Sequence, residues 1–127
     1  MYFANAFQRL PLLAALALLP PAASAAAPLA FVPNEKSATI SIIDTASDEV
    51  VGQIDVGVKP RGVAPSRDGK LLYVADQRRG ALHVVDVAAR SVVGEIELGE
   101  SPEGVSISPD GRWIAAAIED TNSVALV

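Results

Sequence analysis

The stretch "KPRGVAPSRDGKLLYVAD" (Lys59–Asp76) comes back further along the chain as "SPEGVSISPDGRWIAAAI" (Ser101–Ile118). The Pro, the Gly-Val pair, the Ser and the Asp-Gly stand at the same offsets in both, whereas Lys59 and Arg61 give way to Ser101 and Glu103. Sliding the sequence against itself by 42 residues extends the match: Phe31–Val85 aligns with Tyr73–Val127 without a gap, and 16 of the 55 pairs are identical. Ordinary residue frequencies would give about three or four. The identities include Gly52/Gly94, Gly57/Gly99, Pro60/Pro102, Gly62/Gly104, Asp68/Asp110 and Gly69/Gly111, positions where backbone geometry is demanding. A self-similarity of this length is the mark of a repeat architecture.

Within one copy, apolar residues alternate with polar ones or form brief runs bounded by Gly, Pro, Asn and Asp, which is the period of short strands. Gly62–Ser66, Lys70–Asp76, Ala81–Asp86 ("ALHVVD") and Ser91–Leu98 ("SVVGEIEL") read as four strands. Asp68-Gly69 and Asp110-Gly111 supply the positive backbone angles of tight hairpin turns. Pro60 and Pro102 stand at strand entrances, where a missing N–H does least harm. No amphipathic helix is expected after the leader. A four-stranded antiparallel unit recurring about every 40–45 residues is the pattern of a β-propeller blade. An immunoglobulin-like sandwich also has short strands and turns, but it does not predict an ungapped repeat. The fold class is therefore all-β, a β-propeller of four-stranded antiparallel blades, with one full blade and two partial ones: about 29–56, 62–98 and 102–127.

The run "FVPNEKSATISIIDTASDEVVGQIDVGVKPRGVAPSRDGKLLYVAD" resembles the YVTN-type propeller repeat. The tetrad that names this family stands here as Phe31-Val32-Pro33-Asn34, as Tyr73-Val74-Ala75-Asp76 and, degraded, as Ala115-Ala116-Ala117-Ile118. The opening "FVPNEKSATISIID" is similar to a subgroup of these propellers found beside operons for alcohol catabolism that depends on pyrroloquinoline quinone. The resemblance covers Leu29–Val127 and carries no established activity with it.

The N-terminus reads as an export signal over 1–27. Arg9 is its only charged side chain, Leu10–Leu19 ("LPLLAALALL") is a short apolar run, and small residues follow at Ala23-Ser24-Ala25. Ten or so apolar residues broken by Pro11, Pro20 and Pro21 fall short of the roughly 20 that a spanning helix needs. Periplasmic or secreted localisation is expected, with no stable membrane span after cleavage. The chain has no cysteine, so it contains no disulfide, thiol nucleophile or c-type haem attachment point. Without the leader, nine Lys and Arg stand against fifteen Asp and Glu. This acidic balance argues against nucleic acid as a partner, since phosphates demand a basic patch.

A full propeller uses about four to eight blades, and ten strands do not close a ring. The expectation is a fragment of a longer protein; the alternative is self-association of several copies into a composite ring. Loops entering each blade and loops between second and third strands share one face. Here these are Val58–Arg61 and Glu100–Glu103 in the first set, and Asn34–Ser37, Asp76–Arg79 and Glu119–Asn122 in the second. Lys36, Lys59, Arg61, Asp76, Arg78, Arg79, Glu103 and Asp120 are the candidate ligand-face residues. Lys59, Arg61, Arg78 and Arg79 are weighed as a basic spot for a carboxylate or an acidic partner, against the alternative of ordinary solvated loop charges.

Catalytic sets are not visible, and no catalytic, metal or cofactor residue is assigned. His83 is the only histidine; with Ser41 and Ala125 at the equivalent positions it reads as a polar, outward-facing strand residue, and its replacement is expected to leave binding intact. A lone histidine does not make a zinc or iron site. Asp44, Asp68, Asp86 and Asp110 read as turn formers, and Trp113, aligned with Leu71, as a core residue. The functional expectation is an exported, non-enzymatic binding or scaffold module without a cofactor. Its partner is a protein or small molecule at the propeller face, and it is an accessory to quinone-dependent alcohol oxidation if the subgroup resemblance holds. The alternatives are a piece of a haem- or quinone-dependent propeller oxidoreductase and a surface or adhesion repeat protein.

Overall fold

The computed structural model describes residues 27–127; the expected export signal lies outside them apart from Ala27. Ten strands follow in order: β1 (Leu29–Asn34), β2 (Thr39–Asp44), β3 (Glu49–Asp55), β4 (Pro60–Pro65), β5 (Leu71–Asp76), β6 (Ala81–Asp86), β7 (Ser91–Glu97), β8 (Pro102–Ile107), β9 (Ile114–Ile118) and β10 (Ser123–Leu126). They form three antiparallel meanders, β1-β2-β3, β4-β5-β6-β7 and β8-β9-β10, in which every strand pairs with its sequence neighbours. Three, four and three strands are the partial, full and partial blades expected from the repeat. The consecutive order excludes the Greek-key crossovers of a sandwich. No helix occurs among the described residues.

The first strand of the full blade begins at Pro60, two residues earlier than the alternation predicts. Pro60 pairs with Asp76 and Val63 with Val74, so a bulge absorbs the intervening residues, and the same irregularity recurs between Pro102 and Val105. A bulge leaves a residue unpaired and bends the strand, which hides the start of the ladder from a period-2 reading. A second pair of bulges, between Ile42 and Ile43 and between Val84 and Val85, also recurs 42 residues apart.

Blades stack face to face through apolar side chains. Ile40, Ile42, Ile54 and Val56 of the first blade meet Leu72, Val74 and Val85 of the second, all at most 2% exposed. Leu82, at the repeat position of Ile40, is likewise fully buried. The inner strands β4 and β8 approach closely at Gly62, where a Cβ would meet the carbonyl oxygen of Glu103 and the backbone N of Val105. A glycine is needed there because no side chain fits between the two backbones.

Two placements differ from the sequence reading. Trp113 is 52% exposed: it precedes β9 at the tip of the β8–β9 hairpin, where its N–H donates to Ser108 Oγ, so it is a hairpin residue and not a core one. The turns hold as read. Asp68 and Asp110 accept the backbone N–H of Lys70 and Arg112, and Asp44 and Asp86 accept those of Ala46 and Ala89. The Ser66 hydroxyl, then the Lys70 N–H, hold the Asp68 carboxyl below its ordinary pKa, and Ser108 and Arg112 do the same for Asp110.

The β1–β2, β5–β6 and β9–β10 turns each need a left-handed residue at the same repeat position: Ala38 (φ 57), Gly80 (φ 66) and Asn122 (φ 50). Alanine is the costly choice, since a Cβ in this region costs about 1–2 kcal/mol. Ala38→Gly should therefore raise stability by about 0.5–1 kcal/mol after the entropy of glycine is counted, read as a higher denaturant midpoint with an unchanged slope.

Candidate functional site

The two sets of loops converge on one face, as the repeat requires, and the structure shows what lies under them. Asp76 ends β5 with no exposed surface. Its Oδ1 accepts the backbone N–H groups of Lys59, Arg78 and Arg79 at 3.0–3.1 Å, and its Oδ2 accepts that of Val58 at 2.5 Å. One carboxylate thus fixes the strand entrance at 58–59 and the β5–β6 turn at 78–79. Burial pushes the Asp76 carboxyl up, and the N–H groups of Val58, Arg79 and Lys59 with His83 more than reverse this, leaving its pKa below the ordinary value.

His83 is buried at 4% exposure, which corrects the outward reading. Residues 76 and 83 are diagonal partners on one face of the β5–β6 ladder, where Val74 pairs His83 and Asp76 pairs Ala81. The imidazole turns inward to set Nε2 3.3 Å from Asp76 Oδ2. The other two blades carry the same diagonal in different chemistry. In the first, Asn34 Nδ2 donates to Ser41 Oγ at 2.9 Å; in the third the pair is Ile118 and Ala125. Each pair is internally matched, so the histidine belongs with the aspartate. Gly57 (φ 59) closes the same knot, because a Cβ there would overlap Asp76 Oδ2 and His83 Nε2.

A folded-state pKa below the unfolded one means that Asp76 contributes stability above the unfolded value, about 3.9, and that this contribution is lost as pH falls through the folded value. The stability difference between wild type and Asp76→Asn should accordingly be full at pH 7 and shrink below about pH 4, measured by urea melts across pH.

Of the two alternatives weighed for the loop cations, a basic spot is not what the geometry gives: three of the four are paired with carboxylates. Lys59 Nζ lies 3.2 Å from Glu35, and Arg61 bonds Glu35 on one side and Glu103 on the other, with Nη2 2.7 Å from Glu103 Oε1. Arg79 faces Glu95 at 3.5 Å. Three blades are joined by this chain, which continues as Gln77 Nε2 donates to Glu103 Oε1, Ser101 Oγ and Glu119 Oε2. Arg61 and Glu103 occupy the same repeat position, so the exchange of Arg for Glu between copies is what lets adjacent blades pair. Arg61 lowers the Glu103 pKa, and Lys59 and Arg61 lower that of Glu35.

Beside this chain a cleft of about 740 Å³ opens between the second and third blades. Of the candidate residues, Lys59, Arg78, Arg79 and Asp120 line it; Arg61 and Glu103 belong to the ion-pair chain next to it. Lys36 is exposed on the β1–β2 turn, outside the cleft, and Asp76 lies beneath the loops. Glu100 and Ser101 of the Glu100–Glu103 entry loop also line it, as do Glu95 and Glu97, which the alternation and turn signals missed. Glu95 and Glu97 sit at outward positions of β7, and only the packing of the third blade turns that edge into a wall.

No curated protein matches the chain. Among solved structures it is similar to hydrazine synthase of Kuenenia stuttgartiensis, with 29% identity and a TM-score of 0.73 over 76% of this chain and 28% of that one. It is also similar to the dihydro-heme d1 dehydrogenase NirN in complex with DHE, with 25% identity and a TM-score of 0.66 over 88% and 25%. A putative 6-phosphogluconolactonase from Bacteroides fragilis, 20% identical with a TM-score of 0.68 over 77% and 31%, shares the fold. The chain thus spans about a quarter to a third of the length of these structures. The family described as YNCE-like beta-propeller matches residues 22–112, and with three meandering sheets repeating every 42 residues, the chain belongs to the YNCE-like β-propeller family.

Proposed function

We propose that this chain is part of an exported propeller that works as a binding module, with the loop face over Asp76 as its recognition surface. The observation that carries the reading is the cleft between the second and third blades, whose rim loops are held from below by four backbone N–H bonds to one buried carboxylate. A rim fixed in this way is preorganised, which lowers the ordering cost of binding. Export rests on the leader, and a role accessory to quinone-dependent alcohol oxidation rests on the resemblance of "FVPNEKSATISIID" to that subgroup. The likeness to hydrazine synthase and to a heme d1 dehydrogenase would suit a propeller of an oxidoreductase equally well. Among the described residues, however, the only imidazole is buried against Asp76 and offers no ligand to a haem.

The test is site-specific photocross-linking in the native host. A photoreactive residue at Arg78 on the cleft rim should give a discrete adduct from the exported fraction, and one at Ala88, in the β6–β7 turn at the other end of the blade, should give none. Equal labelling from both positions, or adducts only from Ala88, contradicts the reading.

A further inference from the structure

In the second and third blades an inner strand covers the edge of its neighbour: β4 pairs with β5 and β8 with β9. β1 stands at the repeat position of β5 and β9 but pairs only with β2, so among the described residues its inner edge carries unpaired backbone N–H and C=O groups. Such an edge is a template for a further strand. Pro33, which has no N–H to offer, does not spoil it. It lies at the repeat position of Ala75, and the β4–β5 register passes from Asp76 to Val74 without using that residue.

Two hollows run along the same edge. One of about 360 Å³ lies between Pro33 and Glu35 on one side and Pro60 and Arg61 on the other. The second, of about 470 Å³, is apolar: Leu29 and Phe31 of β1 face Val63, Pro65, Leu72 and Val87 across it, and Gly69 borders it. One blade further on, the corresponding place is occupied. At Gly111, the repeat position of Gly69, the stem of Arg67 lies so close that an added Cβ would stand 3.1 Å from its Cδ. An inner strand and its hairpin are therefore what this surface is shaped to receive.

The repeat also specifies which strand fits. Gly62 of β4 leaves no room for a Cβ against the backbone of β8, and the 42-residue spacing sets an inner strand of the first blade against Arg61 and Val63 in the same way, so glycine is required there too. The leader does not carry the pattern, because the residue 42 before Gly62 is Pro20. A second copy of this chain has no such strand to give, since β4 and β8 are both paired within their own blades. We infer that the inner edge of β1 is a strand-acceptor site for an extended segment of a partner polypeptide with the pattern Pro-x-Gly-Val followed by a small residue, as in Pro60–Ala64 and Pro102–Ser106. Its backbone continues the sheet from β1, and the small residue, placed opposite Phe31 as Ala64 is opposite Tyr73, enters the apolar hollow. The site lies on the inner side of the first blade and is independent of the loop-face reading.

The probe is the synthetic peptide SPEGVAPSRD, which joins Ser101–Val105 to Ala64–Asp68 and so avoids setting a second guanidinium beside Arg61. It is titrated into the full chain and followed by calorimetry and by backbone amide NMR. The expected result is saturable binding at one site, with shifts at the β1 amides and none at those of β10, the outer edge of the third blade's sheet. Replacing the glycine of the peptide by alanine should raise the dissociation constant about tenfold or more. Leu29→Asp, which puts a carboxylate at the exposed mouth of the apolar hollow, should do the same, whereas Val124→Asp on β10 should leave affinity unchanged. The leader peptide LLPPAASAAA (Leu18–Ala27) should not bind. Absence of saturable binding, equal shifts at β1 and β10, indifference to the glycine, or equal binding of the leader peptide overturns the inference. So does broadening of the β1 amides with rising protein concentration and no peptide, which would make a second copy the occupant.

Discussion

Asp76→Ala should cost about 3–5 kcal/mol, a large part of the roughly 5–15 kcal/mol by which domains of this size are stable. The carboxylate is fully buried and accepts four backbone N–H groups and faces a histidine. Its removal leaves buried donors unpaired, at about 1–3 kcal/mol each before relaxation. Two loops release together, so the loss is not confined to one turn. Asn34→Ala offers a comparison: Asn34 is half-buried, its side chain bonds only Thr39 and Ser41, and its removal should cost about 1 kcal/mol. Chemical denaturation of the two variants checks the order. Equal costs would mean that Asp76 is solvated and not a knot.

Gly62→Ala should destabilise by about 1–3 kcal/mol or more, because the added carbon meets backbone atoms of Glu103 and Val105 that are fixed in β8 and cannot turn aside. The inner strands would have to move apart, opening the blade interface along its length. Gly104→Ala is the control built into the repeat. At the same position of the next copy a Cβ meets nothing within 4 Å, and the substitution should change stability by no more than about 0.5 kcal/mol in this 127-residue chain. A pair of urea melts decides it. Similar losses at both positions would place the cost in backbone conformation and not in the approach of β4 to β8.

The blades were legible because the repeat duplicates every backbone device: the Asp-Gly hairpins, the entry prolines and the apolar strand cores recur at one spacing and support each other. What resisted reading was anything decided between blades. His83 looks like a polar strand position beside Ser41 and Ala125 until its diagonal is read together with Asp76, as Asn34 goes with Ser41 and Ile118 with Ala125. That covariation was present in the sequence and is the signal that would have found the pair. The sequence leaves Arg61 open between a basic spot and an ordinary loop charge because its two acidic partners, Glu35 and Glu103, lie 26 residues before it and 42 after it. Loop charges in a repeat protein meet across blades, at distances no local window covers. Equivalence with Leu71 points Trp113 to the core, but its place at the hairpin tip leaves the ring in solvent.

The buried Asp76 carboxylate organises the loop face, and amide hydrogen exchange tests this most directly. In the wild type the backbone amides of Val58, Lys59, Arg78 and Arg79 should be protected like strand amides although they lie at a strand entrance and in a turn, and in Asp76→Asn all four should lose protection while those of β2 keep theirs. Fast exchange of these four amides in the wild type, at the rate of the exposed β6–β7 turn, would contradict it.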